Sequence, residues 1–205
     1  MATVDQECAS ADPLDVGLVE RWLGHRNDVS ALAPLWRSGI VVDTVEVSAR
    51  WSVLPGLYRS VLDALGAVEG TLVASSHQSH AYADGACLYF TFAGRPPMAD
   101  GSADGSADGS ADGSADGSAE AADHRAWVER YYRRAWDEVT RATMAAGGAI
   151  SHHHGIGINR SRFLAGALGS GFGVLAAVKE ALDPHGILNP GKLGLASPYG
   201  AVPWP

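Results

Sequence analysis

The stretch Thr71-Leu-Val-Ala-Ser-Ser-His-Gln-Ser-His-Ala-Tyr82, then Ala83-Asp-Gly85, then Ala86-Cys-Leu-Tyr-Phe-Thr-Phe92, reads as two extended runs joined by a glycine turn. Leu88, Phe90 and Phe92 recur with the strand period of two, and Asp-Gly is favourable turn chemistry between two strands. This is a β-hairpin signal. Upstream, Ile40-Val-Val-Asp-Thr-Val-Glu-Val47 is β-branched and puts Val41, Val45 and Val47 on one face, which predicts a further strand. Between them, Leu54, Leu57, Tyr58, Val61, Leu62 and Leu65 follow helical spacing, with Ser52 as expected N-cap, Pro55 in the first turn and an end near Gly66.

Downstream, Trp127, Tyr131, Ala135, Val139 and Ala142 are spaced for a second helix that Gly147-Gly148 would stop. A short strand is expected over Ala149 to His154, a turn at Gly155-Ile-Gly157, and a last helix over Phe172 to Leu182, ended by Pro184. Helices interleaved with strands that include a tight hairpin predict an α+β fold, a mainly antiparallel sheet with helices packed on one face.

Composition narrows the function classes. The chain has 205 residues, of which 46 % are hydrophobic, enough for one domain with a real core. Its net charge is −8, five of those negatives being Asp100, Asp104, Asp108, Asp112 and Asp116 of the repeat Asp-Gly-Ser-Ala, which runs five times over residues 100–119. The remainder is close to neutral and carries no basic stripe, which argues against nucleic acid or an anionic membrane as partner. The repeat offers no apolar surface, lacks the ligand spacing of a calcium loop, and is expected to be a disordered loop. No window is long and apolar enough for a membrane helix, and the N-terminus lacks a basic head with an apolar run, so a cytoplasmic location is expected. Cys8 and Cys87 match neither a disulfide framework nor a metal signature, and sulfur redox chemistry is not expected.

The chemistry concentrates in two places. Gly148-Ala-Ile-Ser-His-His-His-Gly155 holds three consecutive imidazoles, and the first strand of the hairpin holds His77, His80 and Tyr82. Alternation along strands would put His152 and His154 on one face with His153 opposite, and His80 and Tyr82 on one face with His77 opposite. If the strands share a sheet, His80, Tyr82, His152 and His154 converge. One reading is a metal site completed by Asp84 or Asp43. The other is acid-base chemistry by neutral imidazoles and a phenol. The following Gly155-Ile-Gly-Ile-Asn-Arg-Ser-Arg162 is not a dinucleotide loop, because Arg160 stands where that fingerprint needs glycine. It is either an anion-binding turn using Arg160 and Arg162 or a helix start with two solvated arginines.

Three segments together resemble a known family. They are Val41-Val-Asp-Thr-Val-Glu-Val-Ser-Ala-Arg50 with its continuation to Tyr58, Ser75 to Phe92, and Gly147 to Leu193, the last containing Ser-His-His-His-Gly and Asp183-Pro-His-Gly-Ile-Leu-Asn-Pro-Gly-Lys192. They are similar to the C-terminal domain of FAD-linked oxidases of the vanillyl-alcohol oxidase type, and within it to the alkyldihydroxyacetonephosphate (alkylglycerone-phosphate) synthase branch. The resemblance covers residues 18–195, interrupted by the repeat. It implies an α+β cap over the flavin, with Tyr82, His152, His153 and His154 handling protons, His80 and Arg160 on the substrate side, and Asn189 and Lys192 toward the cofactor. It implies no metal. In the synthase branch the flavin holds the glycerone-phosphate carbon while a fatty acid leaves and a fatty alcohol attacks; related members oxidise hydroxy acids or alcohols. An arginine that binds the substrate's anionic group in the family falls on Ser30-Ala-Leu-Ala33 here. Residues 1–30 are too few for the N-terminal FAD-binding domain, so FAD is expected to be contacted on one side only. The expected partners are an FAD-binding-domain chain and a small-molecule or lipid substrate. The isolated chain is expected to be inactive. The competing expectations are a non-catalytic interaction domain, made sticky by Tyr82, Tyr89 and Leu188, and a metal-dependent hydrolase.

Overall fold

The computed structural model describes residues 15–26, 28–96 and 116–200. Helices α1 (Val16–His25) and α2 (Ala33–Arg37) precede strand β1 (Val41–Arg50), and α3 (Leu54–Gly66) leads into the hairpin β2 (Thr71–Ala81) and β3 (Gly85–Gly94). Helices α4 (Asp116–Ala145), α5 (Gly157–Leu168) and α6 (Gly171–Leu182) follow. The sheet order is β1-β3-β2 with antiparallel pairing throughout, the α+β arrangement that the sequence predicts.

The central position of β3 explains its apolar face. Val45 pairs with Phe90 and Val47 with Leu88, so valines and aromatics stack on one side of the sheet. Leu57, Val61 and Leu65 of α3 and Tyr131, Ala135 and Val139 of α4 close over that side. Burying each large apolar side chain contributes roughly 1.5–3 kcal/mol. Two polar contacts fix α4 on the sheet: Trp136 Nε1 donates to Asp43 Oδ2 at 3.0 Å, and the Tyr131 and Thr71 hydroxyls lie 3.1 Å apart. Gly94 allows this closeness, since a Cβ there would meet Tyr131 Cζ at 2.1 Å.

Several expectations need correction. Val53, not Ser52, holds the N-cap position of α3, whose end has no side-chain cap, while Pro55 does stand in the first turn. Helix α1 was not anticipated; Asp15 caps it by accepting from the Gly17 N–H at 2.9 Å. Most of the repeat, residues 100–115, lies outside the described residues, and so does Cys8. The last repeat unit, from Asp116, begins α4 instead of belonging to a loop. Among the described residues no single helix is long and apolar enough to cross a membrane.

The largest correction concerns the strand expected over Ala149 to His154. Only one bridge forms, Ser48 with Ala149, each N–H donating to the other's carbonyl at 3.1 and 2.8 Å. The ladder stops there because the next edge carbonyls are taken. Arg160, from α5, donates Nε to the Ile150 carbonyl at 2.7 Å and Nη2 to the Glu46 carbonyl at 3.1 Å. A guanidinium inserted between two backbones satisfies both without letting them pair.

Candidate active site

Released from the sheet edge, the histidine segment folds over the sheet face opposite the core. That face carries one row of residues across all three strands, Glu46 paired with Tyr89 and Tyr89 with His77. Cys87, two residues before Tyr89, points to the same side. Glu46 is completely buried, and its carboxylate organises the segment. Oε1 accepts from the His152 N–H at 2.6 Å and the Cys87 thiol at 3.3 Å. Oε2 accepts from the Ser151 hydroxyl at 3.0 Å and the His154 N–H at 3.4 Å.

Burial alone would raise the Glu46 pKa. The bonds from Cys87, His152, Ser151 and His154 together outweigh it and hold the carboxyl below its ordinary value. Burial, with the hydrogen bond to Glu46 and its charge, pushes the Cys87 thiol up to about 12. The pair is therefore a carboxylate and a protonated thiol.

With its backbone held at 152 and 154, the segment turns all three imidazoles into one cluster. His152 Nδ1 lies 2.9 Å from His153 Nδ1, and the Tyr89 hydroxyl lies 2.6 Å from His153 Nε2 and 3.3 Å from His154 Nε2. The His80 ring meets His153 edge-on at 4.7 Å, the Tyr82 ring is 5.2 Å from His152, and His77 stacks on Tyr89 at 5.0 Å. The expected split of His153 from its neighbours fails because these residues are not a strand. His77 and His80 also come together, because a register shift between Gln78 and Ala81 breaks the alternation of β2. Loss of water lowers the His153 pKa, and the neighbouring imidazoles of His154, His80 and His152 add to this against the opposing charge of Glu46. His153 is a neutral imidazole at neutral pH.

The hairpin turn is pinned to the strand beside it. Trp51 Nε1 donates to the Tyr82 carbonyl at 3.0 Å, and the Trp51 N–H to that of Asp84 at 3.2 Å. A cleft of about 510 Å³ opens there, between Tyr82, His152, Arg50 and Asp84, with Ala49 and Ala86 in its wall.

Other expected site residues lie elsewhere. Arg160 is neither solvated nor turned toward the cleft: it is buried, over the Trp136 ring at 5.0 Å, and also donates to the Gly155 carbonyl at 3.2 Å. Arg162 pairs with Asp137 of α4. Asp183 accepts from the Ile187 and Leu188 N–H groups at 3.0 and 2.9 Å and pairs with Lys179, so the shared motif there is a local knot. Asn189 adopts φ 46 in the turn that follows, where the Lys192 N–H donates to its carbonyl at 3.3 Å. The same tail packs on α5, Gly194 so close that a Cβ would meet the Ser161 carbonyl at 2.7 Å. Asp43 is engaged by Trp136, and the carboxylate at the histidines is Glu46, which the sequence reading missed. Its signal was an acid within a run of valines, on the face opposite Val45 and Val47.

Glu46, Cys87, His152 and His153 bring donor atoms within 4.8 Å of one another. By type they would suit a divalent ion such as zinc. Yet both Glu46 oxygens already accept from two donors each and the thiol keeps its proton, so the group is a hydrogen-bonded network and we identify no metal ligand in it.

The profile of the family described as FAD linked oxidases, C-terminal domain, matches residues 7–115 and 118–193. The chain belongs to this family. The uncharacterized FAD-linked oxidoreductase YgcU of Escherichia coli K12 is 24 % identical over 189 residues, 88 % of this chain and 34 % of that protein. Alkyldihydroxyacetonephosphate synthase of Caenorhabditis elegans is 28 % identical over 165 residues, 76 % of this chain and 23 % of the synthase. A solved structure of an alkyldihydroxyacetonephosphate synthase matches with a TM-score of 0.47 and 22 % identity, over 84 % of this chain and 24 % of the other. The chain spans about a third or less of the length of these relatives. The family is FAD-linked, which implies an FAD-binding domain as partner to this one.

Proposed function

We propose that this chain is the substrate-side domain of an FAD-dependent enzyme of the alkylglycerone-phosphate synthase type, with Tyr82, His152, His153 and His154 moving protons to and from the substrate. The observation that carries this reading is the cluster of five imidazoles and two phenols gathered on one sheet face beside a cleft. A neutral imidazole gives or takes a proton near neutral pH, which is what addition to and departure from a carbon bearing oxygen require. The cleft fits one wall of a flavin site: it is open, its floor is made of small residues, and Tyr82 and His152 stand at its edge. FAD, when bound, supplies the electron-accepting ring against which the substrate carbon reacts. His152 and Tyr82 line the cleft and would meet the substrate's oxygen; His80 would orient it; Asn189 and Lys192 would meet the cofactor from the tail. Glu46 keeps the imidazoles in place and, with Cys87, stays out of the proton exchange.

An FAD-binding unit would also cover apolar surface that this domain leaves open. Helix α6 buries none of its residues, and Val174, Val178 and Leu182 are 50 % or more exposed, beside Ile187 and Leu188. Tyr89, expected to be sticky surface, is instead half-buried under the histidines.

The test is purification of this chain alone and together with an FAD-binding domain of the family. The chain alone should elute colourless and the pair yellow, with exchange of a fatty acyl for a fatty alkyl group on glycerone phosphate in the pair only. Anaerobic bleaching of the flavin by a hydroxy acid or alcohol, with no exchange, would instead favour an oxidase. Stable one-to-one flavin on the isolated chain would overturn the division of labour.

A further inference from the structure

The geometry points to a proton wire through the histidine triplet, running from His152 at the cleft through His153 and the Tyr89 hydroxyl to His154. This rests on the proton-handling reading above and adds a residue, Tyr89, to it. The links are all of hydrogen-bond length: 2.9 Å between the Nδ1 atoms of His152 and His153, 2.6 Å from His153 Nε2 to Tyr89 Oη, and 3.3 Å from there to His154 Nε2.

Ring connectivity makes the chain continuous. His152 and His153 face each other through Nδ1, so each is left with Nε2 for the next link, toward the cleft for His152 and toward Tyr89 for His153. In the resting state His152 carries its proton on Nδ1, His153 on Nε2, and Tyr89 directs its O–H at His154. A substrate hydroxyl then gives its proton to His152 Nε2. The Nδ1 proton of His152 passes to His153 Nδ1, the Nε2 proton of His153 to Tyr89 Oη, and the Tyr89 proton to His154 Nε2. Each relay group loses one bond to hydrogen and gains one; the substrate oxygen ends as an anion and His154 as an imidazolium. The reverse sequence returns the proton to a leaving group.

The surroundings suit a phenol that passes protons without ionising. Burial and the nearby Cys87 and Glu46 groups raise the Tyr89 pKa, against a hydrogen bond with Ser79. The Ser79 hydroxyl takes one Tyr89 lone pair and His153 the other, leaving the O–H for His154. The titratable groups facing the chain are Glu46 on β1, Cys87 on β3, His77 and His80 on β2, and Tyr82 of the turn. Arg160 lies behind, its Nη2 4.0 Å from Glu46 Oε2.

The experiment is histidine ring NMR on the ¹⁵N-labelled chain, which needs neither flavin nor substrate. A donated hydrogen bond shields an unprotonated ring nitrogen, so Tyr89→Phe should move the His154 Nε2 ¹⁵N resonance downfield. Tyr82→Phe should leave that resonance in place. His154→Leu, read independently, should turn the Tyr89 hydroxyl onto His153 Nε2 and shift the His153 tautomer from Nε2–H to Nδ1–H. An unmoved His154 Nε2 resonance in Tyr89→Phe, or an unmoved His153 tautomer in His154→Leu, overturns the wire. In the complex with an FAD-binding domain, Tyr89→Phe should lower kcat while leaving KM, and unchanged kcat overturns the relay role. Failure of the complex to bind flavin would instead overturn the assignment on which the wire rests, with the ring spectra of the isolated chain unaffected.

Discussion

Replacing Glu46 by glutamine keeps the shape of the side chain and removes its charge, which separates what the carboxylate does from what its volume does. The four donors on its two oxygens are the His152 and His154 N–H groups, the Cys87 thiol and the Ser151 hydroxyl. An amide has one acceptor oxygen, which should stay with the shortest bond, His152 N–H at 2.6 Å. The NH2 then faces Ser151, whose hydroxyl can rotate to accept, and the His154 N–H is orphaned. The loss is one bond and the charge assistance of the others, partly offset by no longer burying a charge, so Glu46→Gln should destabilise by about 2 kcal/mol. Glu46→Ala orphans every donor and leaves a cavity, and should cost about 4 kcal/mol or more. Urea unfolding followed by tryptophan fluorescence measures both. The gap depends on pH in a fixed sense. The folded pKa of Glu46 is depressed, so its contribution is complete above the unfolded value near 4.5 and is lost as pH falls through the folded one. The wild-type advantage over Glu46→Gln should therefore narrow as pH falls below the unfolded value near 4.5. A gap that widens in acid, or a glutamine variant as stable as wild type at neutral pH, would refute the account.

Arg160→Met should cost about 3–5 kcal/mol, because it leaves the Ile150, Gly155 and Glu46 carbonyls unpaired and removes the positive charge beside a buried carboxylate; a thermal melt checks this. Gly148→Ala places a Cβ 2.3 Å from Leu57 Cδ1 and 3.0 Å from Thr143 Cγ2, and should lose about 1–3 kcal/mol on denaturant unfolding, with shifted His152 and His154 amide resonances. In a Cys8→Ser background, Cys87 should resist iodoacetamide at mildly alkaline pH, since its thiol is held up near about 12. Adding Glu46→Gln should speed that alkylation, because the hydrogen bond and charge of Glu46 contribute to the shift; equal rates would refute this.

The sheet and its covering helices were readable because each rests on local periodicity. Val41, Val45 and Val47 alternate, Leu57, Val61 and Leu65 recur at helical spacing, and the Ala-Asp-Gly turn joins β2 to β3 as a hairpin. Nothing comparable marks Arg160. Its neighbours Ile158 and Leu164 place it on a helix, and a helix start near glycines suggests an anion site or open solvent. Its actual partners are carbonyls 114 residues apart from it at Glu46 and 10 apart at Ile150, pairings that only tertiary packing creates. Helix α1, whose Val19, Trp22 and Leu23 are each more than half exposed, shows the converse: its core-like residues find no core among the described residues.

The histidine triplet was legible as chemistry and misread as geometry, and both outcomes have one cause. Residues that titrate near neutral pH announce themselves by type, whereas the direction each ring takes depends on what its backbone is bonded to. Alternation holds only while a ladder holds, and here Arg160 ends the ladder after Ala149 while Glu46 draws the His152 and His154 N–H groups across the sheet face. Two buried, oppositely charged side chains thus perform one task from either side of β1: the guanidinium stops the segment from becoming a strand, and the carboxylate gives the freed backbone a different set of acceptors. The same logic identifies the residue that matters most when the triplet is transplanted or redesigned. Copying three histidines onto another strand would reproduce the alternation and scatter the rings, and gathering them requires an acid at the position of Glu46.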